Sequence, residues 1–274
     1  MTYTTMLVHL DAGGPNAHVL EVAASLAKQY DAKVIGVAAC QPIQMGTLTG
    51  DDFTGQIVAM EREAAEESLK RAEAEFHAFA PVQPFVLEWR SISTMDPIAH
   101  VIAEEARSAD LVIASAKYGP VSNKERHADA GELILRAGRP VLIVPDRPAT
   151  SRFTKVLVAW AETRECRRAI VDALPILKRA ERVMVVEVAR EPADARFPSK
   201  DVVAWLARHG ITADQIIAKS SGNDAGSLAV IAAEQDAELI VAGAYGHNRL
   251  SEWTFGGVTR DLLLRDNRCA LVSH

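Results

Sequence analysis

The sequence predicts an α/β protein of two tandem domains, each a five-stranded parallel sheet with helices on both faces. Three observations carry that expectation. Short apolar runs alternate with longer segments whose apolar residues recur at helical spacing. The same order of runs occurs twice, about 150 residues apart. Runs such as Leu239-Ile240-Val241-Ala242 are apolar throughout, as expected of strands buried on both faces of a parallel sheet.

In the first half, Met6-Leu7-Val8-His9-Leu10 opens as a strand, Asn16 to Tyr30 follows as a helix, and Lys33 to Ala39 is a second strand. A long Ala/Glu-rich helix spans Asp51 to Ala80, and Pro84 to Trp89 reads as the third strand. A helix over Pro97 to Ser108 delivers the chain into a fourth strand, Asp110 to Ala114. Leu133 to Arg136 then ends a helix that leads into Arg139 to Pro145. The second half repeats this order. Lys155 to Trp160 is its first strand, Arg164 to Arg179 a helix, and Arg182 to Val188 the next strand. A shorter helix at Ser199 to His209, a strand at Asp214 to Lys219 and a helix at Asp224 to Gln235 precede the fourth strand, Glu238 to Ala242. Leu262 to Arg265 closes a helix before the last strand, within Arg268 to His274. The Pro-containing polar stretch from Asp146 to Ser151 separates the halves, so the domains are expected at residues 1–147 and 152–274. Such alternation implies a Rossmann-like arrangement with right-handed crossovers, whose ligands bind beyond the carboxyl ends of the strands where strand order reverses.

Composition narrows the function classes. With 274 residues, 49% hydrophobic and 24% charged, the chain has a soluble globular balance. A net charge of -6 without a long Lys/Arg run argues against a general nucleic-acid binder. No apolar run reaches membrane-spanning length, and Met1 to Thr5 leads into a strand rather than a secretory signal. Cys40, Cys166 and Cys269 are odd in number and far apart, which argues against a disulfide framework and fits a reducing cytoplasm.

The most informative stretch runs from Glu238 to Leu264. Gly243 and Gly246 bracket the exit from a strand, and Gly256-Gly257 stand directly before Val258, Thr259, Arg260 and a Leu262-Leu263-Leu264 helical face. Glycines let the backbone approach a ligand closely, and a helix N-terminus adds about half a positive charge, which is anion-binding chemistry. Glycines flanking a surface loop also serve turn geometry alone. The spacing G-x2-G-x9-G-G is neither the dinucleotide fingerprint nor the P-loop. It resembles the nucleotide loop of the universal stress protein family, G-x2-G-x9-G followed by Ser or Thr, with Gly257 in place of the hydroxyl residue. Element order and repeat length extend the resemblance over essentially the whole chain, in the tandem form.

That resemblance implies an acidic residue after the first strand of each half, as part of the nucleotide pocket. Asp11 fits in the first half, but Ser115 stands opposite Gly243, Tyr118 opposite Gly246 and His127-Ala128 opposite Gly256-Gly257, so the first site reads as lost. The second half keeps its glycines but has Ala161 at the acidic position. Its candidate ATP-binding residues are therefore Gly243, Gly246, Gly256, Gly257, Val258, Thr259 and Ala161, with Thr259 a substitute for the missing hydroxyl. Trp160 either stacks on a base or packs, packing being favoured. His247 and Arg249 either approach phosphates or are solvated. The family also implies that the halves pair through their last strands, Val141 to Val144 and Ala270 to Val272, which would otherwise be exposed apolar edges. Homodimerisation is a further option, and no protein partner is named.

Catalytic signals are weak. His9, His18, His100, His127 and His209 lie at no metal-ligand spacing and read as surface or packing residues, Ser220-Ser221-Gly222 lacks a nucleophile-elbow pattern, and Glu61 to Glu75 reads as a solvated helix face. Two functional classes stay open. One is a cytoplasmic stress-response module that binds ATP in its second half without dedicated turnover; the other is a nucleotide-free protein acting through partner surfaces. A slow ATPase is a distant third.

Overall fold

The computed structural model describes residues 2–42, 52–79, 87–116, 126–146, 150–189, 198–220, 222, 224–244 and 268–274, with the side chains of the long helix described from residue 58 onward. The first half runs β1 (Thr5–His9), α1 (Ala17–Tyr30), β2 (Lys33–Cys40), α2 (Asp52–Phe79), β3 (Leu87–Ser93), α3 (Ile98–Glu105), β4 (Leu111–Ser115), α4 (Ala130–Arg136) and β5 (Val141–Val144). The second runs β6 (Lys155–Trp160), α5 (Arg164–Leu177), β7 (Arg182–Ala189), α6 (Ser199–Arg208), β8 (Ala213–Lys219), α7 (Asp224–Glu234), β9 (Leu239–Gly243) and β10 (Cys269–Ser273). Most elements lie within a residue or two of the sequence expectation. The third strand differs more, because β3 extends to Ser93 rather than stopping at Trp89, and it pairs with β2 as far as Cys40↔Ser93. Pairing along a neighbour sets its end, which local composition does not report. Pro84 and Leu262 to Arg265 lie outside the described residues.

The strands form one ten-stranded sheet in the order β3-β2-β1-β4-β5-β10-β9-β6-β7-β8. Within each half the pairings are parallel. The halves meet through β5 and β10, which are antiparallel in the register Val141↔Val272, Leu142↔Leu271 and Ile143↔Ala270. The expected pairing of the last strands is thus present, and neither apolar strand is left as an edge. Because the joining pair is antiparallel, the carboxyl ends of the two sets of strands point to opposite ends of the sheet.

Strand residues alternate between two buried faces, as a period of two requires. Met6, Val8, Val156 and Val158 face the layer of α1, α2, α5 and α6, whose core continues across both halves. Leu7 and Val112 face α3 and α4, and Leu157 and Ile240 face α7. The long helix approaches closely because β2 carries Gly36, where a Cβ would lie 2.6 Å from the fully buried Phe76 ring. Helix α1 stops where Asp31 turns left-handed and its N–H bonds to the Ala27 carbonyl. Among the described residues no helix is long and apolar enough to cross a membrane.

Candidate functional site

Strand order reverses between β1 and β4 in the first half and between β6 and β9 in the second. These are the two places where a sheet of this kind leaves a crevice for a ligand, and the sequence has furnished them differently.

At the second crevice, β9 ends in Gly243, aligned with Ser273 of β10. The first turn of α5 seats directly on it: a Cβ on Gly243 would overlap the Cys166 amide nitrogen and lie 2.8 Å from Glu165 Cβ. The residue has no positive φ. The glycine is therefore required by the close approach of a helix terminus, not by the left-handed freedom expected at a loop exit. The α5 terminus is ordered by Thr163, whose hydroxyl accepts a hydrogen bond from Cys166 N at 3.2 Å. Glu165, buried in the same turn, pairs with Arg164. Burial pushes the Glu165 carboxyl up, but Arg164 and a backbone amide outweigh it and leave it below the usual range. A cleft of about 270 Å³ beside this turn is lined by Arg164, Glu165, Arg168 and His274.

Ala161 lies just past β6, half-buried against the core, with its carbonyl accepting from Thr163 N at 2.7 Å. No carboxylate stands at that position. Trp160 packs in the core, as expected, and its indole N–H is buried without a hydrogen-bond partner. Gly243 and Ala161 are thus both placed at the carboxyl edge of β9 and β6, strands that pair directly. Gly246, Gly256, Gly257, Val258, Thr259, His247 and Arg249 lie outside the described residues.

The first crevice is lined by side chains that engage one another. Asp11, 3% exposed, follows β1, and its Oδ1 lies 3.1 Å from His127 Nδ1 and 3.9 Å from His9 Nδ1. The His127 contact has ion-pair distance but not hydrogen-bond alignment. Arg126 beside it donates to Ser68 Oγ of α2 at 3.1 Å, and its side chain packs over Gly13. Asn16 closes the loop from below: its Oδ1 accepts from Asp11 N at 2.8 Å, and its Nδ2 donates to the Asp11 and Gly14 carbonyls and to Glu75. Glu75 thereby anchors the loop, which corrects its reading as part of a purely solvated face.

Further along the same edge, Ser115 ends β4 where Gly243 ends β9, and His18 Nε2 lies 3.2 Å from Ser115 Oγ. His9 and His18 are buried, as a packing role requires, and with His127 they share one edge with polar partners that the expectation did not include. Their partners are up to 128 positions away in sequence, so no spacing rule could pair them; a strand-end Ser opposite an early helical His was the available signal. Of the other two, His100 lies 3.5 Å from Glu132, and the His209 ring rests 4.3 Å from the Trp205 ring. Among the described residues, no group of His, Cys, Asp and Glu is placed to hold a metal ion. The three cysteines are buried and free.

No family model matches the sequence, and no curated protein matches it. Solved structures do match over its whole length. A universal stress protein from Archaeoglobus fulgidus DSM 4304 is 16% identical with a TM-score of 0.72, the match covering 98% of this chain and 95% of that one. A functionally unknown protein from Pseudomonas aeruginosa PAO1 is 17% identical with a TM-score of 0.62, over 99% of this chain and 92% of that one. A candidate universal stress protein from Pseudomonas aeruginosa UCBPP-PA14 is 18% identical with a TM-score of 0.59, over 99% and 93% respectively. Across both halves, then, the chain has the fold of universal stress protein structures, in the tandem form.

Proposed function

We propose that this chain is a tandem universal stress protein, a cytoplasmic stress-response module of two domains, 1–147 and 152–274, that binds ATP or a related nucleotide in its C-terminal half without dedicated catalysis. The observation that carries this reading is the difference between the two crevices. In the first, Asp11 faces His127 and Arg126 packs over Gly13, so the acidic residue is already engaged by the protein's own side chains. The second keeps Gly243, and with it the α5 terminus seated at the switch point. Gly246, Gly256, Gly257, Val258 and Thr259 supply the remainder of the loop by resemblance. A second reading, a nucleotide-free interaction protein, is favoured by one observation: Ala161 offers no carboxylate to the ligand.

The missing acid weakens the site rather than removing it. A hydrogen bond to a charged partner is worth about 1.5–3 kcal/mol, or roughly a ten- to hundredfold in affinity. Mass spectrometry of ligand released from freshly purified protein should find ATP or a close relative, absent from the Gly246→Val variant. In calorimetric titration, Ala161→Asp should tighten ATP by about tenfold or more and leave ATP intact. Nucleotide retained by Gly246→Val would move the site away from this loop, and none in the wild type at millimolar ATP would favour the second reading.

A further inference from the structure

The first half has lost its glycine at the end of β4 and gained two side chains there. Ser115 and Gly243 hold equivalent places. Ser115 aligns with Val144 of β5, and the next amide, Ala116 N, bonds to the Val144 carbonyl at 2.8 Å; Gly243 aligns with Ser273, and Ala244 N bonds to the Ser273 carbonyl at 2.9 Å. In the second half the opposing helical turn fits directly against a bare Cα. In the first half the space is taken by a hydroxyl and an imidazole in contact, Ser115 being 7% and His18 9% exposed. Asp146, two residues past β5, brings a carboxylate oxygen to 3.9 Å from the same His18 Nε2.

From this geometry we propose that Ser115 is a nucleophile activated by His18, and that the pair accepts acyl groups from small neutral esters. The 3.2 Å separation is within reach of proton transfer from Oγ to an unprotonated Nε2. Asp146 then faces the imidazolium that forms and stabilises it, although it does not sit on the second ring nitrogen as the orienting acid of a Ser-His-Asp triad does. Asn16 at the start of α1 does not cap the helix with its side chain, which is held instead by Asp11, Gly14 and Glu75. In α4 and α5 the corresponding residues, Asp129 and Thr163, do cap. Glu75 also accepts from Asn16 N at 3.2 Å, so a carboxylate meets the α1 terminus and the step rests on the Ser115–His18 contact itself. Asp11 and Asp146 at the same edge disfavour a phosphate and leave a neutral acyl donor. The narrow exposure of Ser115 restricts the donor to a small acyl group.

The chemistry closes in two steps. Ser115 Oγ bonds to the ester carbonyl carbon as its proton passes to His18 Nε2, and the bond from that carbon to the alcohol oxygen breaks as Nε2 returns the proton to it. Water then attacks the acyl-serine, Nε2 takes a water proton, the bond from the acyl carbon to Ser115 Oγ breaks, and the proton goes to Oγ.

The test is acetylation by p-nitrophenyl acetate, followed as p-nitrophenolate release and by mapping the acetyl group. The full-length protein should release a burst of p-nitrophenolate and carry the acetyl group on Ser115. Ser115→Ala should lose both. His18→Gln, checked for an unchanged circular dichroism melt, should acylate at least about a hundredfold more slowly, the range of a general base. Asp146→Asn alters only an exposed carboxylate and keeps the proposal testable if His18→Gln misfolds; it should slow acylation about two- to fivefold. Acetyl groups on lysines alone, Ser115 labelling at the wild-type rate in a folded His18→Gln, or, where that variant misfolds, labelling at the wild-type rate in Asp146→Asn, would overturn the proposal. Neither result bears on nucleotide in the other half.

Discussion

His9 lies in a fully buried place between partners that act in opposite directions. Burial lowers its pKa from 6.5, nearby His127 lowers it further, and Asp11 raises it; the balance is a depressed value. In the unfolded chain His9 takes a proton near pH 6.5 that the folded chain resists, so the unfolded state binds more protons below that pH. Stability is therefore full above pH 6.5 and falls as the pH drops through the window between the unfolded and folded values, by at most about 1.4 kcal/mol per pH unit. Urea midpoints at pH 7.5 and 5.5 should show this loss in the wild type and a smaller one in His9→Leu. This range lies above the Asp110 titration, since Asp110 is held below its ordinary 3.8 by the Thr4 and Thr5 hydrogen bonds against the opposing effect of burial. An identical pH slope in the two proteins would remove His9 from the account. At Gly243, too, the decisive fact is local: the missing Cβ is the space that the Glu165 and Cys166 backbone occupies.

At the scale of elements, equivalent helices have been put to different uses. Helix α5 is capped by Thr163 and rests on a glycine, whereas α1 is preceded by an asparagine whose side chain holds the neighbouring loop. The same reasoning applies to α2, whose Phe76 ring lies against the bare Cα of Gly36 in β2. Gly36 pairs with Val8 on one side and Trp89 on the other, so β2 cannot retreat without disturbing two ladders. Gly36→Ala should cost about 1–3 kcal/mol, the usual range for overpacking a filled core. Chemical denaturation should show the loss as a lower midpoint with an unchanged slope. A neutral result would mean that α2 shifts freely along the sheet.

Over the whole molecule, the halves share more than a tether. Leu142, fully buried, stands between Ile113 of β4 and Leu271 of β10, and one apolar cluster runs from Tyr3 through both halves to Leu271. Polar contacts fasten the same junction: Tyr3 Oη donates to the Asp172 carbonyl at 2.7 Å, and Arg168 to the Gly138 carbonyl at 2.8 Å. The Arg179 guanidinium lies 5.0 Å from the centre of the Tyr30 ring. Such continuity favours one cooperative unfolding unit, although two-domain chains often depart from that behaviour. Calorimetry should give a single transition, with van't Hoff and calorimetric enthalpies in agreement. Leu142→Ala, costing about 2–5 kcal/mol, should lower that transition without splitting it. Two resolved transitions in the wild type would show that each half unfolds alone.

The sequence by itself determined the element order, the internal repeat and the pairing of the last strands. Periodicity and apolar runs report which face of each segment is buried, and the last strand of each half would otherwise have been an exposed apolar edge. It also showed that the halves had diverged, through Ser115, His127 and Ala161. What only the tertiary structure decided was the content of the crevices. That Gly243 makes room for a helix terminus, that His127 closes on Asp11, and that His18 meets Ser115 depend on crossovers that bring residues 77 to 116 positions apart to the carboxyl edge of their half. Local pattern carries information over a turn of helix or a pair of strand residues, whereas an edge of this kind is assembled from the ends of strands and the starts of helices, where that pattern stops.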